Sequence, residues 1–176
     1  TVALFGVFWE PVRSRIGWAQ TMFQSFDRPE DRPYTLRWLV TQFLAALAVI
    51  IPMLLFFRHG GFGPLALMVI LIATVGDGLA EPFGIRYGRR TYLVRSWASD
   101  KVYTRSYAGS FCVFLVGVAG VLLFYDCFTT AQFWSAIVVV PLAMTLAEAF
   151  SPHTWDTPFL ILSGGACVGA IKLLVP

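Results

Sequence analysis

Long uninterrupted apolar runs, separated by polar connections of very unequal length, dominate the pattern of this chain. Four of them, residues 38–57, 64–80, 133–149 and 159–175, reach or approach the ~20 residues a helix needs to cross a bilayer core. A fifth, residues 108–125, holds small polar residues but no charge. The runs are continuous rather than alternating, so they predict helices that satisfy their own backbone in lipid and not spanning strands. The expected architecture is all-α: a polytopic membrane helix bundle with about five spanning helices. Pro52 and Pro141 are expected to kink their helices. The glycines at 117–120 and 164–169 offer close helix approach, as small residues do inside membranes.

Composition agrees with the pattern. Of 176 residues, 57% are hydrophobic and only 13% charged, with a mean hydropathy of +0.71. A soluble domain averages nearer half apolar and about a quarter charged. The length suits one integral membrane domain over residues 1–176. Because Thr1 already lies inside an apolar stretch (residues 1–9) too short to span, that domain is expected to lack part of its N-terminus. Cys112, Cys127 and Cys167 show neither a disulfide nor a metal-ligand spacing and are expected to pack as small residues.

Charge sets the expected topology. The connections 59–63 and 126–132 are short and nearly uncharged, whereas 10–37 and 81–105 are long and basic. Alternating five helices puts both long connections on one face, with 11 of the 13 basic residues; only Arg58 and Lys172 lie opposite. The positive-inside rule assigns that face to the cytoplasm or an equivalent compartment. The bilayer, and no nucleic acid, is the expected macromolecular partner. The same parity brings the connection 150–158 to the basic face.

Two polar clusters therefore converge there. Gly76-Asp77-Gly78-Leu79-Ala80-Glu81 closes the second run. An acid at the centre of a spanning helix costs about 2.5–3.5 kcal/mol, less toward the interface, and calls for a partner or a cation. Asp77 and Glu81, four apart, share a helix face. Stacked carboxylates there could hold Mg²⁺, which takes one or two carboxylates plus phosphate oxygens. The alternative is a helix end whose acids pair with Arg86 or Arg89. Gly84 and Gly88 follow, interleaved with Arg86, Arg89, Arg90 and Arg95. Glycines let backbone amides approach phosphate oxygens and arginine forks match them, although topology alone already accounts for a basic loop. Arg105-Ser106-Tyr107-Ala108-Gly109-Ser110 opens the next helix; its start is either an anion site or simply capped by Ser106. The second cluster has Glu148 at a helix end and Asp156 in the connection beyond. His153, between them, reads as a loop histidine facing water or headgroups.

Taken in order, Gly-Asp-Gly-Leu-Ala-Glu at 76–81, Gly84, Gly88, Arg-Ser-x-x-Gly-Ser at 105–110 and Glu148-Ala149-Phe150-Ser151 with Asp156 resemble the phytol kinase and dolichol kinase family of polytopic membrane enzymes. The resemblance covers residues 76–158. It departs from the family at Glu81, where Asp is common, at Arg105, where Lys is common, and at Thr157, where Asn is usual. The family's early basic-histidine motif is absent. What the resemblance implies is phosphorylation of a long-chain isoprenoid or related lipid alcohol, with CTP as donor and Mg²⁺ as cofactor.

On that reading Asp77, with Glu81 or Asp156, holds Mg²⁺ on the donor phosphates, and Arg89, Arg90 and Arg105 offset charge during transfer. The backbone at Gly76–Gly78 and Gly109–Ser110, with Ser106, Gly84 and Gly88 nearby, cradles phosphate oxygens. Asp156 or Glu148 accepts the hydroxyl proton, and the lipid tail lies between helices. Such a transfer needs positioning and electrostatics rather than a covalent nucleophile. Two rivals stand beside it. One is a CTP-dependent lipid cytidylyltransferase, although the terminal Lys-Asp and His-Gly-Gly-x-x-Asp-Arg signature of those enzymes is missing. The other is a transporter or non-catalytic membrane subunit.

Overall fold

Each apolar run becomes a helix, and most extend past the run that predicts them. The computed structural model describes residues 2–27, 32–95, 102–151 and 155–176; His153, Arg28 and Lys101 lie outside the described residues. The chain forms an all-α membrane helix bundle made of two compact units, Thr1–Ala45 and Ala46–Pro176.

In the first unit the long basic connection is itself partly helical. After α1 (Val2–Val7) come α2 (Glu10–Arg13) and α3 (Gly17–Phe26), and then the start of α4 (Thr35–His59). Phe8, Ala19 and Phe23 are buried, and the Arg13 guanidinium lies 3.7 Å from the centroid of the Phe23 ring. Asp27 accepts from the Thr35 hydroxyl at 2.6 Å and from Arg32 Nε at 2.9 Å.

The second unit holds the rest of α4, then α5 (Pro64–Tyr87), β1 (Thr91–Arg95), β2 (Val102–Ser106), α6 (Tyr107–Leu123), a 3₁₀ turn (Tyr125–Cys127), α7 (Thr130–Phe150) and α8 (Asp156–Leu174). Four helices, α4, α5, α7 and α8, are long and apolar enough to cross a membrane. The fifth, α6, is an uncharged apolar helix of 17 residues, shorter than those four and at the lower limit for a span. Met68, Val69, Ile72, Val113, Val140, Met144, Leu160 and Val168 are fully buried and form the core between α5, α6, α7 and α8. Small residues set the helix spacing: a Cβ on Gly117 would stand 2.9 Å from the Pro141 Cα, a backbone atom that cannot yield. Pro52, Pro82 and Pro141 all lie inside continuous helices. The three cysteines are free thiols.

One expectation needs correcting, and the connection 81–105 carries structure of its own. In that connection α5 runs on to Tyr87, and β1 and β2 pair as an antiparallel hairpin, with Thr91 opposite Ser106 and Tyr92 opposite Arg105. Its strands, Thr-Tyr-Leu-Val-Arg and Val-Tyr-Thr-Arg-Ser, are rich in aromatic and β-branched residues, which suit a pleated half-buried surface. The correction concerns Asp156, which is not in a connection; it occupies the first turn of α8, where its charge meets the positive end of the helix dipole. Pro158 sits in that same turn, where a missing N–H costs nothing.

Candidate functional site

Strand alternation decides which hairpin residues face the helices. Along β1 Tyr92 is partly buried and Val94 buried between exposed neighbours, and along β2 Tyr103 and Arg105 are partly buried. Tyr92 and Arg105 are cross-strand partners and therefore share one face. Arg105 uses its fork on two helices at once: Nη1 donates to Glu148 Oε1 of α7 at 2.8 Å, and Nη2 to Asp156 Oδ1 of α8 at 3.0 Å. Glu148 is 3% exposed and Asp156 8%, so burial makes an arginine partner close to obligatory for both acids.

The remaining lone pairs are also used. Ser110 Oγ on α6 donates to Glu148 Oε2 at 3.3 Å, and the Tyr92 hydroxyl lies 2.6 Å from Ser110 Oγ. With the serine proton on the carboxylate, Tyr92 is the donor to Ser110. Ser151 joins Glu148 to Asp156: its hydroxyl lies between the backbone carbonyl of the first, at 3.0 Å, and the Oδ1 carboxylate oxygen of the second, either of which can accept its one proton. One residue further along α8, the Thr157 hydroxyl donates to Asp77 Oδ2 on α5 at 3.3 Å. A connected network thus spans α6, α7, α8 and the hairpin, with the Thr157–Asp77 bond to α5 next to it.

Electrostatics follow from this packing. Burial opposes the charge on Arg105, but Asp156 and then Glu148 outweigh it and push the guanidinium above its ordinary value. The Tyr92 hydroxyl is raised as well, chiefly by burial; the Ser110 bond pulls the other way and the Glu148 charge adds to the rise. With its acids ionised, one guanidinium between two carboxylates leaves a net negative charge, to which Asp77 adds.

Of the residues singled out from the sequence, Arg105, Ser110, Glu148 and Asp156 meet in this network, with Asp77 next to it. Ser106 is the N-cap of α6, its hydroxyl accepting from the Gly109 N–H at 3.0 Å, so of the two readings of that segment the cap is realised. Gly84, Gly88 and Gly109 are occupied by packing. A Cβ on Gly84 would stand 2.6 Å from Ser106 Oγ, and one on Gly109 2.8 Å from the Ala80 carbonyl oxygen. One on Gly88 would stand 2.2 Å from the Gly84 carbonyl oxygen. At Gly84 and Gly109 the missing Cβ lets α5 and the start of α6 approach closely. Gly76 faces Val113, whereas Gly78 borders open space. Glu81, Arg89 and Arg90 are exposed. Among the described residues no three His, Cys, Asp or Glu side chains converge as a metal-ligand group.

Tyr92 is the participant that sequence reasoning passes over. The signal was the Thr-Tyr-Leu-Val-Arg alternation, hidden because the strand is only five residues long and sits in a segment read as basic loop. Ser151 and Thr157 were in view as neighbours of the acids, but their partners were not. Neither family models, curated proteins nor solved structures yield a match to this chain.

Proposed function

We propose that the chain is a membrane lipid-alcohol kinase that takes its phosphoryl group from a nucleoside triphosphate, CTP by resemblance, at the cytoplasmic or equivalent face. The observation that carries the reading is the Arg105 fork. It joins the acids of the second cluster, while Thr157 ties Asp77 of the first cluster to the same end of the bundle. An acid-rich network inside a basic loop region attracts a divalent cation and the phosphates it accompanies.

Asp77 is partly buried and Glu81, one turn on, exposed. Mg²⁺ takes one or two carboxylates and completes its set with waters and phosphate oxygens, so on this reading the donor phosphates would supply the remaining ligands beside Asp77 and Glu81. Bound there, the ion would neutralise charge on the donor phosphates. On this reading Arg105, bonded through both terminal nitrogens, holds Glu148 and Asp156 in place, and Arg89 and Arg90 are the arginines proposed to serve the phosphates. Glu148 Oε2, which accepts only the long Ser110 bond, and the second oxygen of Asp156, whose Oδ1 carries both Arg105 and Ser151, are the candidates for accepting the alcohol proton. For the lipid tail there is an apolar cavity of about 490 Å³ between α4 and α8, bounded by Pro52, Met53, Ile161 and Gly165. Ile161 lies only ~7.5 Å along α8 from Asp156 at 1.5 Å per residue.

Asp77→Asn tests the assignment. It keeps size and removes charge, so transfer of labelled phosphate from CTP or ATP to a panel of lipid alcohols should fall by orders of magnitude while the protein inserts and folds normally. Asp126→Asn, in the 3₁₀ turn, is the matched control and should leave transfer intact. Equal turnover of wild type and Asp77→Asn at saturating Mg²⁺ and nucleotide would remove Asp77 from the chemistry. Absence of nucleotide binding to the wild type would return the chain to the non-catalytic reading.

A further inference from the structure

The unit Ala46–Pro176 carries a second polar centre at the opposite ends of its helices. Lys172, in the last turn of α8, donates from Nζ to the Cys127 carbonyl at 3.1 Å and to Gln132 Oε1 at 2.9 Å. Gln132 is itself held in place: its Oε1 also accepts from the Thr129 N–H, and its Nε2 donates to the Val175 carbonyl at 2.9 Å. The rings of Phe62 and Phe128 each stand 5.9 Å from Nζ, within cation–π range. All of these partners are neutral. Lys172 makes no ion pair among the described residues, and neither does Asp126, the sequence neighbour of Cys127.

An ammonium has three donors, and two are used. Lys172 also lines a cavity of about 430 Å³ bordered by Gly60, Gly61, Phe62, Pro64 and Gln132. Pro64 begins α5, so the positive end of a helix dipole faces the same space as the ammonium. A fixed positive charge, a spare donor and a half-polar cavity call for an anion. Its source follows from depth. Lys172 lies ~24 Å along α8 from Asp156 at 1.5 Å per residue, close to the ~30 Å thickness of a hydrocarbon core. The ammonium therefore sits at headgroup level in the leaflet opposite the Arg105 network.

We propose that this cavity binds the phosphodiester of an anionic membrane phospholipid, with Lys172 as its charged ligand. The site is separate from the kinase centre and does not rest on that reading.

Native mass spectrometry of the detergent-solubilised protein tests it, with phosphatidylglycerol, phosphatidylcholine and diacylglycerol offered at equal mole fraction. Wild type should retain phosphatidylglycerol best and diacylglycerol least. Lys172→Gln should lower phosphatidylglycerol retention on the order of tenfold, the effect of one lost charge-assisted contact. Lys172→Arg should keep it. Arg58→Gln removes the other cation at this end, outside the cavity lining, and should change little. Equal retention by wild type and Lys172→Gln would overturn the proposal, as would displacement of bound lipid by millimolar inorganic phosphate, which would assign the cavity to a free anion. If Lys172→Gln fails to fold, wild type alone decides: phosphatidylglycerol should raise its melting temperature more than diacylglycerol does, and equal shifts would overturn the site.

Discussion

The two ends of the Ala46–Pro176 unit use the same device with opposite results. At one end Arg105 spans two helices through a pair of carboxylates; at the other Lys172 bridges two segments through a pair of carbonyl oxygens. With every group ionised, the first centre carries an excess of negative charge and the second an excess of positive charge. Counting basic residues suggests the reverse, since Arg86, Arg89, Arg90, Arg95 and Arg105 all lie at the end of α5 or in the hairpin beside the acidic network. The count of Lys and Arg in short loops governs which way a bundle inserts. Local pairing governs what each end can bind, because a buried fork neutralises its partners while exposed arginines a few residues away are screened by water.

The largest test of this contrast is removal of each cation. Arg105→Ala leaves Glu148 and Asp156 buried without their partner and should destabilise by about 3–5 kcal/mol. Lys172→Met strands only neutral acceptors and should cost about 1–3 kcal/mol. Unfolding in detergent, followed by circular dichroism, reads both. Equal losses would mean that the Arg105 network is no more deeply coupled than the lysine.

A smaller effect separates packing glycines from open ones at the Arg105 end. Gly109→Ala drives a methyl against the Ala80 carbonyl and should cost about 1–3 kcal/mol as α5 and α6 are pushed apart. Gly78→Ala meets open space on the same helix as Ala80, and helix propensity favours it by up to ~1 kcal/mol. If the backbone beside Gly78 approaches donor phosphates, that variant gains stability and loses phosphoryl transfer. A gain in both would withdraw Gly78 from the site.

The smallest expected effect is a titration. The folded protein raises the Tyr92 hydroxyl above the ordinary tyrosine value of about 10. The fold therefore binds that proton more tightly than the unfolded chain. Its contribution to stability is complete below the ordinary value and disappears as pH climbs through the raised one. An ultraviolet difference titration of wild type against Tyr92→Phe should show one tyrosine ionising late. Ionisation at the ordinary value would mean that Tyr92 is not buried against the helices.

Apolar run length located α4 to α8 to within a few residues, because a helix in lipid needs no partner to satisfy its backbone and a bilayer sets how long it must be. Helix parity foresaw that Asp77, Glu148 and Asp156 would come to one end. The hairpin was not legible: two five-residue strands are stabilised by each other and by the helices beneath them, and short alternation carries too little signal against a basic loop. The glycines looked like phosphate-binding positions because a helix seam and an anion cradle both ask for a missing Cβ. Choosing between them requires the neighbour across the gap, which for Gly109 is the Ala80 carbonyl and for Gly78 is open space. Arg105 posed the same difficulty in charge. Its sequence neighbours mark it as a phosphate ligand, but Glu148 lies 43 residues away and Asp156 51, and a guanidinium goes to whichever anions the packing brings within reach.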